Sequence, residues 1–335
     1  MSSIGFEGIH VLAGQIYAPR KIRLIELPEP ELPPDVADPL ADGEILFQPE
    51  LACLCGSDLP FFDAQEPEYP CEVGQSLHEM IGQVVATNGV KFQVGDRVLC
   101  VPVEHYGLCE RFRVSQHRAI PLDPRASDDE ALLAQPLGTA IFAMRKMPHV
   151  LGLDVAIVGQ GPMGQLFAAL LRNLGARHII AIDPIEARLD VSPRMGATVT
   201  INPDKEDPVE ATRRITGGKL ADVVVEAVGH RDQAFNRCID LCREQGTILQ
   251  FGVPPTEIHG VHWRKLFWKN ISIVTSVGPD FAIDFPLAMQ WIAEKRIDVR
   301  PIITHRFPLR DIQEAFDTFV DRRDGALKVF LDFRE

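Results

Sequence analysis

The stretch DVAIVGQGPMG, Asp154–Gly164, decides how the second half of this chain folds. Five mostly apolar residues predict a buried strand, and the glycine-spaced turn after them opens an apolar helix running to Leu174. Gly159 makes the tight turn, Gly161 lets backbone approach a pyrophosphate, and Gly164 lets the helix pack close to the strand. Pro162 and Met163 stand in the first helical turn, whose free N–H groups and positive dipole attract phosphate. The next predicted strand, His178–Ile182, ends in Asp183, about 20 residues on. A carboxylate there accepts from both ribose hydroxyls and repels a 2′-phosphate, which favours NAD over NADP. The structural alternative is a turn aspartate before Pro184. Arg188 is a candidate for the adenine side of the same site or for the surface.

Around this unit the texture is regular. From Leu151 onward apolar strands alternate with helical patterns, as in a doubly wound parallel sheet of the Rossmann type. Two later strand ends, Ala227-Val228-Gly229 and Phe251-Gly252-Val253, fall where such sheets meet their ligands, so Val228, Gly252 and Val253 join the candidate cofactor contacts. The first half instead shows short β-branched segments, Glu44–Phe47, Gly82–Ala86, Arg97–Val101 and Phe112–Val114, separated by Gly, Pro and Asp. Pro28–Pro39 (PEPELPPDVADP) reads as loop or extended chain. After Asp298, Pro301–Phe307, a helix near Asp311–Val320 and a strand Ala326–Phe330 form a tail, and periodicity leaves open which domain it joins.

Composition narrows the partners. The 335 residues are 46% hydrophobic and 24% charged, with a formal charge of −13. That charge repels a phosphate backbone over most of the surface, and Arg213-Arg214 and Trp263-Arg264-Lys265 are too short to be a nucleic-acid footprint. No run reaches the ~20 apolar residues of a membrane span, and Met1–His10 lacks the apolar core of a signal peptide. Seven cysteines at irregular spacing point to free thiols in a reducing compartment, so the expected location is cytoplasmic.

The first half also carries Cys55-Gly56-Ser57-Asp58 and, downstream, His78-Glu79. A thiolate, an imidazole and a carboxylate suit zinc, and three protein ligands with one open position make a catalytic site. By spacing alone, an inert core cysteine and a structural histidine fit the same residues.

More of the chain points the same way. CGSD at Cys55–Asp58, HEMIGQVV at His78–Val85, VGDRV at Val94–Val98, AQPLG at Ala134–Gly138 and GALKV at Gly325–Val329 follow one another around the glycine turn. In these stretches the sequence resembles the medium-chain dehydrogenase/reductase superfamily, in particular its zinc-dependent polyol, sorbitol and glucose dehydrogenases. The resemblance implies a GroES-like β-rich catalytic domain over residues 1–148 and a Rossmann dinucleotide-binding domain over 149–298. Residues 299–335 would then return to the catalytic domain. It implies Cys55 and His78 as zinc ligands and Glu79 as the adjacent carboxylate, a direct ligand in some members. Gln135 stands where many relatives have Glu, and its neutral amide is expected near the metal through water. Asp58 is expected to orient His78 through the other ring nitrogen.

Two departures shape the expected chemistry. Only Cys100 and Cys109 remain where many relatives carry a four-cysteine lobe, so one catalytic zinc and no structural zinc is expected. Pro60 stands where relatives often end a proton relay with His, and His105 is a conceivable substitute, though a plain loop histidine is the commoner outcome. The implied activity is transfer of hydride between a secondary alcohol, polyol or sugar and NAD. In it Cys55, His78 and Glu79 hold zinc and Ser57 takes the hydroxyl proton. The alternatives are a zinc-free quinone or enone reductase of the same superfamily, which lacks the Cys/His pair, and a non-catalytic nucleotide-binding regulator or structural protein. Ile271–Val274 resembles the strand by which relatives pair subunits, so a homodimer or homotetramer is expected.

Overall fold

Asp154–Val158 is buried along all five residues, as apolar runs without alternation are when helices cover both faces of a parallel sheet. The computed structural model describes residues 10–34, 36–63, 68–229 and 232–335. In it this strand belongs to a six-stranded parallel sheet ordered Val199–Ile201, His178–Ile182, Asp154–Val158, Ala221–Glu226, Cys242–Gln250 and Ser272–Thr275. The order reverses between Asp154–Val158 and Ala221–Glu226, and ligands of such sheets bind beyond the carboxyl ends of the strands at that switch. The helices Pro162–Asn173, Pro208–Ile215 and Asp232–Leu241 connect successive strands. Their apolar faces meet the sheet through Ala211, Phe235 and Ile239 against Ile180, Val224 and Ile248.

The chain divides into two compact units: Pro136–Ile302, which holds this sheet, and the stretch up to Gln135 together with Ile303–Glu335. The helix Ala134–Arg145 packs on the first side, where Gly138 leaves no room for a Cβ beside Phe285 and Arg145 bonds the buried Asp284.

The second unit is β-rich. Its seven-stranded sheet runs Ile303–Pro308, Lys328–Asp332, Glu44–Cys53, Glu79–Thr87, Arg97–Cys100, Ala119–Pro121, with Phe112–Ser115 paired to Glu44–Cys53. Of the short segments expected from the sequence, three lengthen and Arg97–Val101 ends one residue earlier, and the strands share one core that includes Phe47, Phe62, Leu77, Met80, Phe316 and Val329. The tail returns to this unit: Lys328–Asp332 lies antiparallel to Glu44–Cys53, pairing Phe330 with Cys53. Gly82 is required by a close approach, since a Cβ there would stand 2.1 Å from the Gln48 carbonyl oxygen of the neighbouring strand. Among the described residues no helix is long and apolar enough to cross a membrane.

At the amino ends of the parallel strands a buried aspartate links three of them through its carboxylate and its backbone N–H. Asp154 accepts from Arg177 Nε at 2.7 Å and pairs with His178 Nδ1 at 2.8 Å, while its own N–H donates to Asp222. Burial alone would raise the Asp154 carboxyl, but its bonds to Arg177 and His178 outweigh that and hold it below the usual value. Asp154→Asn should therefore destabilise the protein by about 2 kcal/mol at neutral pH. A carboxyl depressed in the folded state contributes stability above its ordinary value of 3.8 and loses it as pH falls through the folded value. Urea melts of both proteins should show the gap constant down to about pH 4 and shrinking below it; a pH-independent gap would contradict the assignment.

Candidate metal and dinucleotide sites

Cys55 leaves the end of the strand Glu44–Cys53 and caps a short turn, Gly56–Asp58. His78 and Glu79 stand where the neighbouring strand Glu79–Thr87 begins, with Glu79 paired across the ladder to Cys53. The two strands thus bring a sulfur, an imidazole nitrogen and a carboxylate oxygen within 4.8 Å of one another, with Cys55 and His78 half-buried and Glu79 buried. Ser57 Oγ lies 3.4 Å from His78 Nδ1.

The expected partner of His78 does something else. Asp58 makes no hydrogen bond to the His78 ring; its Oδ2 accepts from Cys55 N at 2.8 Å, and its Oδ1 from Ser76 Oγ and Leu77 N, each at 2.8 Å. It therefore fixes the backbone that carries both donors, Cys55 on one side and the residues entering His78 on the other. Gln135 is buried in the first turn of Ala134–Arg145. His105 stands edge-on to His78 with ring centroids 4.4 Å apart, and burial, then the neighbouring His78, lowers its pKa.

Sequence reading missed Lys328. Its ammonium donates to Glu79 Oε2 and lies 3.4 Å from Leu54 O, and both side chains are 1% exposed. A lysine opening the otherwise apolar run KVFL was the available signal, because a lysine buried in a strand needs an anionic partner. Burial pushes the Glu79 carboxyl up, to about 8, even with the Lys328 ammonium pulling it down. The donor set fits a divalent cation: soft sulfur, an imidazole nitrogen and a carboxylate oxygen converge within 4.8 Å of one another. Zinc held there would have Cys55, His78 and Glu79 within reach.

At the dinucleotide turn the glycines carry the loads expected of them. Gly159 adopts φ +95°, and a Cβ on Gly164 would stand 1.9 Å from the Gly159 carbonyl oxygen. Gly161 caps the helix Pro162–Asn173 with no side-chain cap, which leaves its first N–H groups unclaimed by a side chain. Asp183 is buried; Oδ2 accepts from Gln160 N and Oδ1 from Ile185 N, both at 2.8 Å, and the Arg188 guanidinium lies 3.5 Å from Oδ2. Val228 and Val253 are exposed beside the strand ends, with Gly229 too close to Val253 O for a Cβ.

Glu226 was also missed. Buried at the end of Ala221–Glu226, it accepts from Val228 N at 2.9 Å, Gly229 N at 3.1 Å and Gln250 Nε2 at 2.7 Å, pinning two strand ends together.

Removing one member of the Glu79–Lys328 pair would strand the other in the core. Lys328→Met should cost about 3–5 kcal/mol in metal-free protein, and Lys328→Met with Glu79→Gln should recover a large part of it. Urea melts of Lys328→Met, Glu79→Gln and the double variant test this, and additive losses would mean the pair is not coupled.

The chain matches the family described as zinc-binding dehydrogenase over residues 162–294 and the alcohol dehydrogenase GroES-like domain over 41–125. L-threonine 3-dehydrogenase of Alteromonas mediterranea is 28% identical over 350 residues, which cover 95% of this chain and 98% of that one. The solved alcohol dehydrogenase TADH of Thermus sp. ATN1 is 25% identical with a TM-score of 0.82, covering 97% of this chain and all of that one (100%). A dehydrogenase of Escherichia coli CFT073 complexed with NADH is 22% identical with a TM-score of 0.83, over 97% of this chain and 100% of that one. The parallel sheet with its glycine turn, the β-rich unit and these matches agree: the chain belongs to the zinc-dependent medium-chain dehydrogenase superfamily and is an oxidoreductase of the alcohol and polyol dehydrogenase type.

Proposed function

We propose that this protein is an NAD-dependent dehydrogenase that oxidises a secondary alcohol of a polyol or sugar, with one zinc ion per chain. The observation that carries the reading is the convergence of Cys55, His78 and Glu79 within 4.8 Å, in a chain that also bears the glycine turn and Asp183. Zinc supplies Lewis acidity that lowers the pKa of a substrate hydroxyl, and NAD accepts the hydride. Cys55, His78 and Glu79 hold the ion, and Gln135 stands aside because a neutral amide oxygen is a weaker donor than a carboxylate. Ser57 would take the hydroxyl proton and pass it to solvent, and bound NAD would supply the hydride acceptor that leaves the substrate carbon as a carbonyl. Gly159, Gly161, Pro162, Met163 and Gly164 seat the pyrophosphate, and Val228, Gly252 and Val253 border the rest of the dinucleotide. Arg188 stays on the adenine side, beside Asp183.

Asp183 supports NAD over NADP, since its buried carboxylate would meet a 2′-phosphate with like charge. The seven cysteines, none in a disulfide, fit a reducing cytoplasm. Ser272–Thr275 ends the sheet as an edge strand with exposed Ser272, Ile273 and Thr275, which supports pairing with a second copy.

Metal analysis of the purified protein should find about one zinc per chain, and NAD reduction should occur with members of a polyol and sugar panel. Cys55→Ala should lose both the zinc and at least a hundredfold in turnover, roughly the loss of a direct ligand's contribution. Zinc-free protein that still binds NADH would sink the mechanism. In the wild type NADH should bind about tenfold or more tightly than NADPH, with Asp183→Ser narrowing the gap; equal affinities would remove the case for NAD. Light scattering should give a mass at least twice the 37.2 kDa of the chain, whereas a monomer would end the strand-pairing idea.

A further inference from the structure

We propose that a hydroxyl and a ring, those of Ser57 and His105, orient the His78 imidazole toward the metal centre in place of a carboxylate. His78 donates its Nδ1–H to Ser57 Oγ, so its Nε2 lone pair is the one offered to the ion, and the His105 ring holds it against rotation. The inference rests on the zinc-holding reading above and concerns how one of its donors is set.

Which nitrogen of a metal-binding histidine faces the ion is set by the hydrogen bond the other one makes, commonly to a carboxylate or a carbonyl. At this centre the carboxylate in reach is engaged elsewhere. An Asp58 oxygen lies within 4.8 Å of a His78 nitrogen, yet Oδ2 accepts from Cys55 N, and Oδ1 accepts from Ser76 Oγ and Leu77 N. The group at His78 Nδ1 is Ser57 Oγ, 3.4 Å away on the turn that follows Cys55. A hydroxyl has two lone pairs and one proton, so accepting from Nδ1 leaves Ser57 a lone pair and its proton for a substrate. A hydroxyl also lends the ring less basicity than a carboxylate would, which leaves a bound ion more of its pull on substrate oxygen.

His105 contributes shape. Its ring stands edge-on to His78 with centroids 4.4 Å apart, and Phe61 backs it at 5.8 Å. Its Nδ1 is buried with no hydrogen-bond partner among the described residues, so packing and not polarity is what this ring offers His78. The loop that carries it is pinned at both ends. Arg118 donates to Val101 O at 2.7 Å and to Pro102 O at 2.8 Å. Ser76 N donates to His105 O at 2.7 Å, and Gly107 N donates to Ser76 O at 3.1 Å. Ser76 also leads into His78, so the wall and the ring it braces are fastened to one segment. Glu104 and His105 hold left-handed backbone, φ +47° and +64°, a conformation that non-glycine residues keep only where the surroundings enforce it.

The test reads zinc affinity by chelator competition and the His78 ring nitrogens by nitrogen NMR, in wild type, Ser57→Ala, Ser57→Thr, His105→Ala and His105→Phe. Alanine and phenylalanine both lack the tolerance of left-handed backbone that asparagine has, so the two variants at 105 differ chiefly in whether a ring is present. Metal-free wild type at mildly alkaline pH should carry the His78 proton on Nδ1. Ser57→Ala should move it toward Nε2, and Ser57→Thr should match the wild type. Zinc should bind about tenfold more weakly to Ser57→Ala and to His105→Ala, and within about twofold of wild type to Ser57→Thr and His105→Phe. A wild-type proton on Nε2, unchanged affinity in either alanine variant, or a loss in His105→Phe as large as in His105→Ala would overturn the proposal. If the wild type took up no zinc, the metal reading would fail, and the His78 proton in metal-free protein, with its response to Ser57→Ala, would still decide this one. Should an alanine variant not fold, the wild-type spectrum and the threonine and phenylalanine variants decide it.

Discussion

Asp58 takes three hydrogen bonds on one buried carboxylate: Cys55 N on one oxygen, Ser76 Oγ and Leu77 N on the other. The strand Glu44–Cys53 ends at the first of these and the strand Glu79–Thr87 begins just after the others. The ladder pairing of Cys53 with Glu79 brings the two segments side by side, and the clamp fixes the turns that carry the Cys55 sulfur and the His78 imidazole. With it their separation is set by the backbone, and a side chain that cannot itself hold a turn, such as Cys, can be used purely as a donor. The same carboxylate would leave backbone N–H groups unsatisfied if removed, which is why it is 1% exposed yet tolerated in the core.

The sheet unit uses the same device twice. Asp183 accepts from Gln160 N and so holds the glycine turn against the end of His178–Ile182. Glu226 accepts from Val228 N and Gly229 N and reaches Gln250, tying the end of Ala221–Glu226 to that of Cys242–Gln250. Each strand end that borders a candidate ligand site is therefore shaped by a buried acid rather than by packing alone. An acid is suited to this work because it accepts several N–H groups at once, while an apolar residue accepts none.

What could be read in the sequence follows from how local the cause is. The glycine turn, the buried strand before it and the helix after it are set within about twenty residues, so the fold of the second half and the places of Gly159, Gly161, Gly164 and Asp183 were legible. Cys55, His78 and Glu79 were legible as a donor set because their types suit zinc and because of the resemblance. Lys328 was not: it lies 249 residues from Glu79 and reaches it only because the tail returns as a strand beside Glu44–Cys53. Asp58 was assigned to the His78 ring, but two backbone N–H groups and the Ser76 hydroxyl satisfy it instead, and no spacing in CGSD distinguishes these uses. His105 read as a loop histidine because nothing in CVPVEHYGLC announces that Ser76 will fasten the loop against His78.

Backbone strain completes the picture of how the metal donors are held. Ser76 and Leu77, at φ +117° and +65°, precede His78, and Glu104 and His105 face it from the other loop, all in left-handed backbone that glycine would take more easily. Each costs on the order of 1 kcal/mol or more. Hydrogen bonds hold them there: Ser76 Oγ and Leu77 N donate to Asp58, Ser76 N donates to His105 O, and Tyr106 N closes the turn around Glu104 onto Val103 O. Strain of that kind cannot relax toward a ligand, so the donors hold their geometry before anything binds. A centre built this way would lose little freedom on taking up a cation and substrate, which would lower the entropic part of the barrier for a reaction that depends on orientation. The β-rich unit thus gives up some stability around His78 in return for a rigid set of donors.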